Sequence, residues 1–256
     1  SFEEYPSLIY DGPFSEHIEN QQSEMINNAQ EISQEQALKK AEAFLGKKAK
    51  NLKYETDTKN SAIDSYDFIS TNGNRQISTT KRGGYVNYFL DNRVVAGEKL
   101  NFSDAIYRAE QFLEKHGITD LVSSYYDKSG GIATVNFAYI QDGITCYSDL
   151  IKVRVALDNG EVLGMEAHGY LLNHKMRDFP EIKISEEDAK NSVNPNLKID
   201  SVAIAYIPKD NLKEYLCYEL RGVHNDQNFI IYVNAQNGRE EKILMLIESE
   251  NGILTI

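Results

Sequence analysis

Ile32-Ser33-Gln34-Glu35-Gln36-Ala37-Leu38-Lys39-Lys40-Ala41-Glu42-Ala43-Phe44-Leu45 has an echo 68 residues later, Leu100-Asn101-Phe102-Ser103-Asp104-Ala105-Ile106-Tyr107-Arg108-Ala109-Glu110-Gln111-Phe112-Leu113. Ala37, Ala41, Phe44 and Leu45 map onto Ala105, Ala109, Phe112 and Leu113. The spacing i, i+4, i+7, i+8 is one face of an α-helix. Two alanines let the first turns approach a sheet closely, and the aromatic fills the far end. A weaker third copy starts at Ile184-Ser185-Glu186-Glu187-Asp188-Ala189, with Val193 in the second small position. Pro195 truncates that helix, because it lacks an N–H and clashes with the preceding turn. Ser33 with Gln36 reads as a capping box, and Asn101 with Asp104 and Ser185 with Asp188 as looser versions of it, each after an apolar residue.

Strand-like runs follow each helix. They are 52–56, 65–71, 75–81 and 85–90 in the first copy, then 122–127, 133–140, 145–157 and 162–171 in the second. The third copy has 201–207, 214–221, 229–234 and 242–248. Ile151-Lys152-Val153-Arg154-Val155 alternates as a half-buried strand does. Asn72-Gly73, Asp142-Gly143, Asn159-Gly160 and Asn237-Gly238 supply the positive φ that tight hairpins demand. The expected fold is therefore α+β: three tandem modules, each an N-terminal helix packed on an antiparallel meander. Expected boundaries are 31–100, 101–177 and 178–256, behind an arm or hinge over 1–30. Units this small bury little core alone, so they should pack together or join sheets edge to edge.

Of 256 residues, 41% are hydrophobic and 26% charged, which excludes a disordered or collagen-like chain. Apolar runs such as Ile243-Leu244-Met245-Leu246-Ile247 are far below the ~20 residues of a spanning helix. With no starting Met and no signal peptide, the chain reads as a processed or excised fragment. A net charge of −12 argues against a nucleic-acid binder, which needs a basic face. The charge is uneven: −6 over 1–30, +3 over 31–100, −3 over 101–177 and −6 over 178–256. The basic stretch, with Lys47, Lys48 and Lys50, is either a solvated surface or a face for an anionic partner.

No phosphate-binding Gly loop, G-x-S-x-G elbow, H-E-x-x-H or EF-hand loop is present. His168 and His174 are badly spaced for a metal, and no metal or cofactor is expected. Cys146 with His168 as base offers a nucleophile pair on paper, but a cysteine between Thr145 and Tyr147 reads as core. A bridge between Cys146 and Cys217 stays open. Glu186-Glu187-Asp188 reads as a helix's acidic first turn, and Glu240-Glu241 as residues that follow a hairpin turn. No catalytic residue is assigned.

The segment 1–30 opens Tyr5-Pro6-Ser7-Leu8-Ile9-Tyr10-Asp11-Gly12-Pro13-Phe14-Ser15-Glu16-His17, extended and aromatic, then a polar stretch able to be helical from Ser15 to Gln30. Its aromatics Tyr5, Tyr10 and Phe14 either tie the arm to the body or form part of a partner surface. The Ile-Ser-x-x-x-Ala-x-x-x-Ala helix, followed by strands and a hairpin such as Val155-Ala156-Leu157-Asp158-Asn159-Gly160-Glu161-Val162, resembles the PepSY module. Three such modules behind this opening segment resemble the C-terminal region of the spore germination protein YpeB family, over essentially the whole chain.

That resemblance implies a non-catalytic germination protein. It implies a partner, the cortex-lytic enzyme SleB, which the protein binds, stabilises or restrains until germination. It further implies an extracytoplasmic place in the spore, at the outer face of the inner membrane or the cortex boundary. The membrane is reached only through an N-terminal anchor absent from this stretch. Contact with peptidoglycan is a second expectation. The alternative is a sensor module for peptidoglycan fragments or a small germination signal. Candidate interaction residues are Tyr5, Tyr10, Phe14, Lys47, Lys48 and Lys50.

Overall fold

The computed structural model describes residue 14 and residues 23–59, 63–209 and 213–255. Both long helices form where the repeat places them. A short helix α1 (Glu24–Asn27) is followed by α2 (Gln34–Leu45) and α3 (Phe102–Lys115). The Ser33 hydroxyl accepts from the Gln36 N–H while Gln36 Oε1 accepts from the Ser33 N–H, and Asn101 with Asp104 repeats the box. Ala37, Ala41 and Leu45, like Ala105, Ala109 and Leu113, are buried against the sheet. Phe44 and Phe112 sit at the far ends of their helices and meet edge to face, 5.6 Å apart.

The first repeat contributes strands β1 (Leu52–Thr58), β2 (Ser65–Ser70), β3 (Arg75–Thr80) and β4 (Val86–Asp91). The second contributes β5 (Leu121–Ser129), β6 (Ile132–Gln141), β7 (Ile144–Ala156) and β8 (Val162–Glu166). The third contributes β9 (Lys198–Pro208), β10 (Glu214–His224), β11 (Gln227–Asn234), β12 (Glu240–Ser249) and β13 (Gly252–Thr255). All belong to one sheet, ordered β1-β2-β3-β4-β8-β7-β6-β5-β13-β12-β11-β10-β9. The last strands of the first two repeats, β4 and β8, pair antiparallel through Phe89 and Met165. Equivalent strands meeting this way relate the two repeats by a local two-fold, and that places α2 and α3 side by side on one face.

The second and third repeats join differently. β13 pairs with β5 through Gly252–Asp127 and Ile253–Tyr126. At the other end β9 runs parallel to β7 at Thr145–Ala205 and Cys146–Tyr206. The strands β7-β6-β5-β13-β12-β11-β10-β9 thus close into a ring, a small barrel whose interior side chains must fill it. Gly252 makes the first seam possible. Its φ is +142°, and a Cβ there would fall 2.2 Å from the Tyr126 carbonyl oxygen.

One expectation is corrected. The strand expected over 162–171 ends at Glu166, and His168–Asn173 forms α4, with Leu171 and Leu172 in the core. An apolar run of this length does not distinguish a strand from a short buried helix. The terminal strand β13 had no counterpart in the reading of the sequence. Within the polar stretch 15–30, Glu24–Asn27 is the helical part among the described residues. In the third repeat α5 (Glu186–Asn191) is only six residues long, yet Ala189 and Val193 are buried on the sheet. The shortened helix still packs, over a smaller area.

Candidate functional site

Strand alternation sorts the third repeat's residues onto two faces. Leu216, Tyr218 and Leu220 of β10 and Ile231 and Val233 of β11 point outwards, beneath α5. Cys217 of β10, Ile230 and Tyr232 of β11, and Leu244 of β12 point into the barrel. There they meet Ala138 and Tyr147 from the second repeat and Ala205 and Ile207 of β9. Phe14 completes this cluster. It is 1% exposed, its ring 5.1 Å from that of Tyr147 and 5.3 Å, edge to face, from that of Tyr232. The Lys242 ammonium lies over its other side, 5.0 Å from the centroid. The Phe14 ring therefore fills part of the barrel interior.

Polar groups continue the interior. Glu219, 5% exposed, follows Cys217 on the inward face of β10. Its Oε2 accepts from the Tyr147 hydroxyl at 2.7 Å and from the Tyr232 hydroxyl at 2.9 Å. Its Oε1 accepts from Arg221 at 3.0 Å. Burial first, and the Glu219 charge after it, hold the Tyr147 phenol protonated well above its ordinary range. Tyr232 is held likewise, by burial and then by Tyr147 and Glu219. Burial works against the Arg221 charge, but Glu219 outweighs it and the guanidinium stays ionised. Both Glu219 oxygens are thereby taken up, by two phenols and one guanidinium. The arrangement is a lock between two repeats.

A second lock sits where the chain passes from the second repeat to the third. Arg177, its side chain 3% exposed, donates to Asp149 at 2.6 and 3.0 Å and to Glu214 at 2.8 and 3.0 Å. His174 stacks on Tyr170 and bonds Asp149 through Nδ1 at 3.0 Å. Burial alone would lower the Arg177 pKa, and the two carboxylates hold it well above the ordinary value. The clamp ties β7 to β10 beside the parallel β7–β9 contact.

The residues singled out from sequence are not brought together. Tyr5 and Tyr10 lie outside the described residues, and Phe14 is buried in the barrel. Lys48 turns inwards, to Glu161 at 2.5 Å and the Val162 carbonyl at 3.1 Å, while Lys47 and Lys50 stay exposed. Cys146 and Cys217 are free and buried, so no bridge joins them. Burial pushes each thiol up to about 12. Among the described residues no His, Cys, Asp and Glu cluster is suited to a metal. No helix there is long and apolar enough to cross a membrane. Glu219, Asp149 and Arg177 were missed. The one readable signal was Glu219-x-Arg221, two charges on the inward face of a strand whose other face is Leu216 and Leu220.

Comparison with known proteins agrees with this architecture. The family model "YpeB sporulation, PepSY1 and PepSY2 domains" matches residues 1–180, and "Peptidase propeptide and YPEB domain" matches residues 183–244. A sporulation protein YpeB of Halalkalibacterium halodurans is 36% identical over 73% of this chain and 43% of its own length. That of Bacillus subtilis is 31% identical over 86% and 50%. The chain spans about half the length of these curated relatives or less. The solved Bacillus megaterium YpeB C-terminal domain superposes with a TM-score of 0.74 at 30% identity, over 86% of this chain and 100% of that one. By sequence and by fold, the chain belongs to the YpeB sporulation family.

Proposed function

We propose that this region is a non-catalytic holder of the spore's cortex-lytic hydrolase SleB, which it stabilises and restrains until germination, at the outer face of the inner membrane or the cortex boundary. The observation that supports the reading is an uncovered apolar stripe on the third repeat. In the first two repeats, helices of 12 and 14 residues cover the sheet face, whereas α5 has six. The far strand β12 is left bare. Ile243 is 51% and Ile247 41% exposed, with Met245 between them on the same face. Burying what remains exposed of either isoleucine is worth roughly 1 kcal/mol. The surrounding repeat carries −6, so the stripe suits a partner face that is apolar with a basic rim.

The sheet's open edge, β1, suits a partner less well. Its exposed residues Lys53 and Glu55 are the charges that blunt strand addition. Binding only the folded hydrolase would stabilise it by mass action. The exposed Lys47 and Lys50 are proposed to face anionic peptidoglycan-associated polymer. Charge reversal at both should weaken wall retention, and unchanged retention removes that part.

The test mixes this fragment with the hydrolase's catalytic domain and reads complex formation and peptidoglycan hydrolysis together. A micromolar complex that slows hydrolysis, and that Ile243→Glu with Ile247→Glu abolishes, is the expected result. No complex at that concentration sinks the reading for this region.

A further inference from the structure

We infer that the cleft between the first and second repeats binds a small aromatic anion. This site lies on the helix side of the sheet, far in sequence from the stripe on β12, and the inference stands whether or not a hydrolase is held there.

The local two-fold that pairs β4 with β8 brings the C-terminal half of α2 against the end of α3. A cleft of about 420 Å³ opens there, within the size range of small-molecule pockets. Its walls are aromatic and soft. Phe44 stacks on the His116 imidazole at 4.0 Å, and Met165 and Tyr170 line the opposite side. Such faces accept a flat ring by stacking and by sulfur–aromatic contact.

The charge lining the cleft has one sign. Lys40 from α2 and Lys115 from α3 reach it, and no Asp or Glu lines it, in a chain whose net charge is −12. Both lysines are exposed, and neither has a salt-bridge partner among the described residues. The Lys40 stem packs on a glycine turn. Gly84, at φ +65°, lets its stem lie across the turn, where a Cβ would strike Lys40 Cδ at 2.3 Å. One cation from each repeat therefore overlooks a shared aromatic floor. An apolar pocket with a few convergent polar groups selects a ligand by orientation. Here the ring enters and the anionic group stays at the rim between the two ammonium groups.

The probes are 8-anilinonaphthalene-1-sulfonate and its uncharged counterpart N-phenyl-1-naphthylamine, titrated by fluorescence into the full chain. Wild type should bind the sulfonate saturably, one per chain, and at least about ten-fold tighter than the neutral probe. In Lys40→Glu with Lys115→Glu, two exposed positions, that preference should vanish while the neutral probe still binds. Ala43→Trp fills the cleft from an exposed position on α2 and should remove both. Equal affinity of wild type for the two probes overturns the inference. So does sulfonate binding that neither the lysine variant nor Ala43→Trp disturbs.

Discussion

Tyr147 donates its phenolic proton to Glu219 across 2.7 Å, and the two residues come from different repeats. The bond joins β7 to β10 inside a barrel that neither repeat forms alone. It is made to a charged acceptor in a site closed to water, so it belongs to the stronger class. Tyr147→Phe should cost about 1.5–3 kcal/mol in urea denaturation. Glu219→Leu removes the shared acceptor, and the double variant should lose clearly less than the two single losses together. Strict additivity would show that the two residues do not act as a unit.

Phe14 is the single described residue of the opening segment before Ser23, and it fills the barrel interior. Phe14→Ala should cost about 3–5 kcal/mol, the range for a buried phenylalanine truncated without collapse of its site. Phe14→Leu should recover part of this. Near-ultraviolet circular dichroism should change as well, because Tyr147 and Tyr232 lose a ring neighbour. A loss below about 1 kcal/mol would mean that the plug contributes little to the barrel.

Arg177→Met leaves Glu214 without its cation and Asp149 with His174 alone. The loss should be about 3–5 kcal/mol at neutral pH, read by urea midpoints. A loss below about 1 kcal/mol would contradict the clamp.

Cys146 and Cys217 should ignore a thiol reagent in the native protein at pH 8 and react fully in urea. Burial lifts both thiols to about 12, above the ordinary thiol range near 9. The folded state therefore keeps protons that the unfolded state releases. This contribution is full below about pH 9 and declines as pH rises towards 12. Stability should fall with pH over that window, and Cys146→Ala with Cys217→Ala should flatten part of the slope. Fast native labelling would show that the strands open readily.

Helix starts were legible because they are local. Ser33 with Gln36 and Asn101 with Asp104 are bonds between residues three apart, and both form as read. The hairpin at Asp142-Gly143 was legible for the same reason, with φ of +53° and +78° at its two residues. The α4 segment was not legible. Gly169-Tyr170-Leu171-Leu172 satisfies either period, and what settles it is packing of Leu171 and Leu172 into the core. Glu219, in a strand, and Arg177, in the connection between α4 and α5, were hidden because a charged residue shows its burial only when partners from another repeat surround it.

The amino-acid sequence by itself determined three helix-led repeats, where the leading helix of each begins, and most of the strands that follow it. All of these rest on contacts within a few residues, where side-chain size and capping chemistry decide. Tertiary structure alone decided that the first two repeats meet at a two-fold while the last two close into a barrel, and that Phe14 fills it. Those choices rest on strand edges pairing across long separations. Backbone N–H and C=O groups carry no residue identity, so nothing in the string of side chains names the partner.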